Sequence, residues 1–146
     1  MGLFDMFKGD KAPEMTPYAA FATSMLYIVA ADGEINENEI GQLISALGGE
    51  QVKGQNTRDL LKNASKYMKS NSVEAFLEEV APKLTEEQKL CILVNIMDTL
   101  YADGNADVSE QEMFNKFFTA FGANEEAFMP NFNAIVLKNN KSVFFV

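Results

Sequence analysis

Two acidic segments of similar sequence carry the side chains whose type and spacing point most clearly to chemistry. Residues 31–39 read A-D-G-E-I-N-E-N-E and residues 102–112 read A-D-G-N-A-D-V-S-E-Q-E. We call them the first and the second acidic turn. From the aspartate to the last glutamate the first turn advances seven positions and the second nine, which indicates a two-residue insertion in the second. Carboxylate and amide oxygens bind hard divalent cations, so the predicted ligands are Asp32, Glu39, Asp103, Asn105, Asp107 and Glu112.

The residue types that are missing narrow the chemistry further. The chain has no histidine and one cysteine, which argues strongly against an ordinary zinc site and removes the most common general base. Oxygen ligands favour Ca²⁺, Mg²⁺ or Mn²⁺. Asp32 and Asp103 also follow apolar helical runs, where a negative charge at a helix C-terminus is unfavourable by about 0.3–1 kcal/mol. A bound cation would offset that energy.

Neither turn is an EF-hand. If Asp32 and Glu39 took loop positions 5 and 12, positions 1 and 3 would be Ile28 and Ala30, which cannot bind a cation. The second turn alternates Asp and Asn at its start, but Phe114 would fall at position 12. The second turn has the higher density of oxygen ligands and is the better candidate.

A purely structural interpretation of the same residues remains open. Asn36 with Glu39, and Ser109 with Glu112, are spaced as capping boxes, in which two side chains bind the free backbone donors of a helix start. An Asp-Gly pair is also a common helix-ending turn. Either turn therefore has an explanation without a metal.

The periodicity of the chain predicts an all-α fold, a single compact bundle of about seven helices with an internal pseudo-repeat of two helix-turn-helix units. Thr16 and Pro17 start a long apolar helix that we expect to be central and buried. Thr57 is predicted to cap a helix over residues 58–69, and further helices are predicted to begin at Val73, after Thr85 and at Asn124. We interpret residues 50–56 as a loop. Pro130 predicts a kink or two short helices.

Four smaller predictions concern individual residues and the chain ends. Cys91 is expected to be a core thiol, and Asp98 either adds to the acidic site or is a satisfied polar residue at the core edge. The apolar, β-prone residues 142–146 are expected to pack along the domain. Residues 1–15 form a short apolar segment and a linker, which either docks back or anchors weakly to a membrane or partner.

Charge and hydropathy exclude several classes of protein. A net charge of −9 disfavours nucleic acid and favours cations and basic partner surfaces. The longest uncharged run, residues 18–31, is shorter than the roughly 18 residues of a spanning helix. Since no secretory signal is visible, we predict a cytoplasmic protein, at most peripheral to the inner membrane. Its helical domain is predicted to cover residues 16–146.

The paired turns resemble those of the TerB tellurite-resistance family. The resemblance covers roughly residues 17–138 and is carried by A-D-G at 31–33 with Glu39 and by A-D-G at 102–104 with Glu112. The opening M-G-L-F-D is also similar. The resemblance implies a bacterial seven-helix domain with pseudo-symmetry, an acidic metal cluster, no known catalysis and a role in tellurite and chemical stress. Its implied partners are Ter proteins, including the integral membrane protein TerC.

Three functional hypotheses follow. The first is a non-enzymatic TerB-like domain that binds a divalent cation through the two acidic turns. The second is an acidic interaction module that docks a membrane or soluble partner without metal. The third, a carboxylate-based hydrolase, is disfavoured, because it requires Asp103 and Asp107, or the two turns, to face one cleft.

Overall fold

Seven α-helices make up most of the computed structural model, which describes residues 14–32, 35–101 and 107–145, with only the backbone of Asp32. They are α1 (Pro17–Val29), α2 (Glu37–Leu47), α3 (Thr57–Ser70), α4 (Val73–Val80), α5 (Glu86–Leu100), α6 (Val108–Ala120) and α7 (Glu125–Asn139). Short 3-10 segments follow α1 (Ala30–Asp32), α4 (Ala81–Lys83) and α7 (Lys141–Phe144). The predicted all-α fold of about seven helices is confirmed.

Local capping explains where several of these helices begin. The Thr16 hydroxyl accepts a hydrogen bond from the backbone N–H of Ala19 at 3.1 Å, and Pro17 is the first residue of α1. Capping boxes are present at Asn36 with Glu39 and at Thr85 with Gln88. These side chains bind backbone N–H groups that have no partner within the first turn of a helix. The three predicted helix starts are confirmed. The start of α3 differs by one residue: Asn56 is its cap and Thr57 its first helical residue.

Helix α1 is central, as predicted. It packs against α2, α3, α4, α5 and α6, and its residues 19, 20 and 22–28 are buried. Phe76 of α4, whose ring lies 5.2 Å from that of Tyr27 in α1, and Phe117 of α6 are fully buried, with ring centroids 6.3 Å apart. The core therefore joins α1 to both α4 and α6, the helix that follows the second acidic turn.

The segment predicted as a loop contains a small ribbon. Strands β1 (Gln51–Val52) and β2 (Gln55–Asn56) pair antiparallel. Lys53 and Gly54 connect them with φ of 50° and 80°, the pair of positive values that a tight type I′ hairpin requires. Two-residue strands are too short to show an alternating pattern, which explains why the sequence did not reveal them.

Two predictions about the second half of the chain are wrong, and a third is wrong in one of its two alternatives. Cys91 is exposed, because it lies outside the stripe of α5 that is buried at Ile92, Leu93, Ile96, Met97 and Leu100. Helix α7 continues through Pro130, which is exposed on its surface, as a single helix, so the alternative of two short helices is wrong and the alternative of a kink stays a prediction. The chain end forms the 3-10 segment Lys141–Phe144, and Phe144 and Phe145 are 81% and 86% exposed. No strand of the described residues lies beside it to satisfy its β propensity.

Candidate metal centre

The first acidic turn joins the end of α1 to the start of α2. After Val29 the backbone tightens into the 3-10 segment Ala30–Asp32. Helix α2 then starts with Asn36, whose Oδ1 accepts a hydrogen bond from the backbone N–H of Glu39 at 2.9 Å. The Glu39 carboxylate accepts one in return from the backbone N–H of Asn36 at 3.5 Å. One oxygen of Glu39 therefore already has a structural role.

The second acidic turn repeats this arrangement with an aspartate as the cap. Asp107 Oδ1 accepts hydrogen bonds from the Ser109 hydroxyl at 2.7 Å and from the backbone N–H of Glu110 at 2.8 Å. The backbone N–H of Asp107 donates to Glu110 Oε1 at 3.3 Å. The Ser109 hydroxyl, followed by the Glu110 backbone, lowers the pKa of the Asp107 carboxyl below its usual value. Asp107 is therefore held as the ionised acceptor that a helix N-terminus favours.

The capping geometry corrects the predicted spacing of the repeat. The box of α6 is formed by Asp107 with Glu110, so the predicted box of Ser109 with Glu112 is wrong. Relative to the aspartates at 32 and 103, the caps follow by four positions (36 and 107) and the glutamates by seven (39 and 110). The two turns have the same register, and the two-residue insertion does not exist. The shared spacing D-x3-[N/D]-x2-E was the signal that the sequence analysis missed.

Glu112 lies on a different side of α6. It is two positions beyond Glu110, a rotation of about 200° around the helix axis. Its exposed side chain lines a surface groove between α4 and α6, together with Glu74, Glu78 and Lys116. Glu110, partly buried, shares the face of α6 that carries the buried residues Phe114 and Phe117. Glu110, and not Glu112, is therefore the structural equivalent of Glu39.

The fold places the elements of the two turns side by side. The 3-10 segment Ala30–Asp32, which ends in the aspartate of the first turn, contacts α6. Helix α6 is the helix that the second turn caps, and it also contacts α1. The residues 102–106, with Asp103 and Asn105, and the side chain of Asp32 lie outside the described part of the chain. Among the described side chains no group of three or more Asp, Glu, His or Cys residues is placed to hold a metal ion, so the predicted ligand set stays a prediction.

A comparison with known protein families decides the classification. The family model described as tellurite resistance protein TerB matches residues 18–130. The chain belongs to the TerB family. No curated protein and no solved structure matches it significantly. The resemblance carried by the two acidic turns is thereby confirmed.

The TerB match extends from the start of α1 into α7 and includes both acidic turns. None of the helices of this TerB protein, in the part that the structure describes, is long and apolar enough to cross a membrane. The TerC-like partner implied by the resemblance stays a prediction.

Asp98 of this TerB protein is engaged away from both turns. Its carboxylate accepts hydrogen bonds from Lys138 Nζ at 2.9 and 3.0 Å and from the Asn139 amide at 3.0 Å, which tie α5 to α7. Burial by itself would raise the pKa of Asp98, but the Asn139 and Lys138 hydrogen bonds outweigh it and lower the pKa. Of the two interpretations of Asp98, the structure favours a satisfied polar residue at the core edge.

Proposed function

We propose that this TerB protein binds a divalent cation with oxygen ligands from its two acidic turns and acts in the response to tellurite and related chemical stress. The observation that carries the proposal is the identical register of the two turns, together with the contact between the first turn and α6. Two segments of the same spacing, each with an aspartate before and a glutamate inside a helix start, offer oxygen ligands at corresponding positions of the sequence. In this proposal Glu110 takes the position first given to Glu112.

The local charge supports cation binding. Residues 30–40 and 101–113 each contain four carboxylates and no lysine or arginine. The next two lysines along the chain after the second turn are engaged elsewhere, because Lys116 pairs with Glu74 and Lys138 with Asp98. A local excess of carboxylates attracts cations. The capping bond uses one oxygen of Glu39, and a carboxylate has further lone pairs for a cation.

Isothermal titration calorimetry with Ca²⁺, Mg²⁺ and Mn²⁺ tests the proposal. We expect a dissociation constant below about 1 mM for at least one ion, and a weakening of at least about tenfold in Asp32→Asn, Asp103→Asn and Glu110→Gln. Glu112→Gln is the matched control, because it removes the same charge from the opposite side of the same helix. No binding tighter than about 1 mM, or equal weakening in the control, would overturn the proposal.

A growth assay tests the role in stress separately. A bacterial strain that lacks the protein should regain tellurite resistance with the wild-type chain. It should not regain it with Asp32→Asn plus Asp103→Asn, provided that both chains accumulate equally. Full resistance with the double variant would show that cation binding is not needed for this role.

A further inference from the structure

A surface groove between α4 and α6 has features that the two acidic turns do not explain. We call it the acidic groove and define it by Glu74, Leu77 and Glu78 on α4 and Glu112, Lys116 and Ala120 on α6. Its volume is about 590 Å³. Leu77, which is buried, and the methyl groups of Ala81 and Ala120 form a largely apolar floor. The groove is therefore an apolar trough with acidic walls.

The charges of the acidic groove are only partly compensated. Lys116 Nζ lies 2.8 Å from Glu74 Oε1, and this hydrogen bond across the groove lowers the pKa of the Glu74 carboxyl. Glu78 on one wall and Glu112 on the other have no hydrogen-bond or ion-pair partner among the described side chains. Three glutamates against one lysine leave the groove negative, with one uncompensated carboxylate on each side of the apolar floor.

We propose that the acidic groove binds an amphipathic helix of another protein, with its apolar face on Leu77 and Ala120 and with lysine or arginine residues on both edges. Two neighbouring helices form a trough into which a third helix packs, and small residues let the backbones approach closely. Basic side chains on the two edges of the incoming helix reach Glu78 and Glu112. The complementary charge gives the helix its orientation and speeds its association.

The same observations argue against other occupants. Nucleic acid and anionic lipid surfaces carry the same sign of charge as the groove. The described carboxylates of the groove do not form a group placed to hold a metal ion. The groove lies on the side of α6 opposite Glu110, so its occupancy does not rest on the cation proposal.

The test uses the full chain and a synthetic helical peptide whose leucines form one face and whose lysines flank it. Binding is measured by fluorescence anisotropy in EDTA, and the site by amide shifts in ¹⁵N-¹H spectra. We expect shifts along α4 and α6, and a loss of affinity of at least about fivefold in Glu78→Gln plus Glu112→Gln. The matched control is Glu87→Gln plus Glu126→Gln, which removes the same charge from two exposed positions outside the groove. The control should change the affinity less than about twofold.

A second variant tests the apolar trough itself. Ala120→Phe fills the groove at an exposed position without changing the charge, so it should weaken the peptide while the melting temperature stays within about 2 °C. Equal weakening in the two charge variants would show only general attraction to an acidic protein. That result, unchanged binding in Ala120→Phe, or shifts confined to other surfaces, would overturn the proposal.

Discussion

Glu39 and Glu110 close equivalent capping boxes at the starts of α2 and α6. Each is the third residue of its helix, and its carboxylate accepts a hydrogen bond from the backbone N–H of the cap, at 3.5 Å from Asn36 and 3.3 Å from Asp107. Each also follows an aspartate by seven positions. The two halves of the protein therefore share one turn design, in which the glutamate at the same position closes the capping box of the following helix.

The start of α6 at Asp107 predicts unequal effects for two neighbouring substitutions. Asp107→Ala removes the acceptor for the Glu110 backbone N–H and should lower the free energy of unfolding by about 1 kcal/mol. Ser109→Ala removes only the hydroxyl that donates to Asp107 and should cost about 0.5 kcal/mol or less. Urea unfolding in EDTA measures both without a contribution from bound cations. A larger effect of Ser109→Ala would contradict Asp107 as the cap.

The fully buried Thr57 stabilises the turn between α2 and the β1–β2 ribbon. Its hydroxyl donates to the Gly49 carbonyl at 2.5 Å, in a turn where Gly48 and Gly49 have φ of 110° and 112°. Thr57→Val keeps the shape and removes this donor, so it should lower the free energy of unfolding by about 1–2 kcal/mol.

Thr23→Val is the matched control for this buried hydroxyl. Thr23 is also buried, but its hydroxyl donates to the Ala19 carbonyl, which keeps its backbone hydrogen bond within α1. We expect a change below about 0.5 kcal/mol. Equal losses in the two valine variants, measured by urea unfolding, would show that the Gly49 contact has no special role.

The Asp98–Lys138 pair predicts a stability term that depends on pH. The folded state lowers the pKa of Asp98. Its contribution is therefore present above the unfolded pKa of about 4 and is lost as the pH falls through the lower folded value. A double-mutant cycle with Asp98→Asn and Lys138→Met should give a coupling of about 0.5 kcal/mol at pH 7, because both groups are partly exposed. The coupling should decline at pH values below 4, and a constant coupling down to pH 3 would contradict the assignment.

The burial and the hydrogen bond of Tyr27 predict that the protein loses stability in alkaline solution. Its hydroxyl donates to the Asn71 carbonyl at 2.7 Å, and burial, with a smaller effect of Glu74, raises the pKa of Tyr27 to about 12. A raised pKa means that the contribution is complete below the unfolded value of about 10 and disappears as the pH rises through about 12. Tyr27→Phe should lower the free energy of unfolding by about 1 kcal/mol at pH 7 and flatten its decline above pH 10.

Absorbance at 295 nm checks the same residue directly. Tyr27→Phe should remove part of the tyrosinate signal that appears above about pH 11. A late signal should remain from Tyr67, whose pKa is also raised by burial and by its hydrogen bond to Glu79. Loss of signal near pH 10 would contradict a buried, hydrogen-bonded Tyr27.

The sequence determined the features that depend on a few neighbouring residues. The all-α class, the central α1 and the starts at Thr16, Asn36 and Thr85 follow from apolar periodicity and from capping side chains that act within three or four positions. The same local rules left two starts for α6, because Asp107 and Ser109 both suit a cap and a glutamate follows each by three positions. The family was also recognisable, since its turns are contiguous in the chain.

Only the tertiary structure decided which face each residue presents and what it meets there. Asp98 pairs with a lysine forty positions away, and Glu112 lies in a groove with α4 instead of beside Glu110. Cys91 is exposed although its neighbours on both sides are apolar. The partner and the exposure of each of these side chains depend on how the helices pack around α1. Packing brings together residues that are far apart in the sequence, so their spacing in the chain does not reveal the contact. The acidic turns can be recognised in the sequence, but only the tertiary structure shows that Ala30–Asp32 contacts α6.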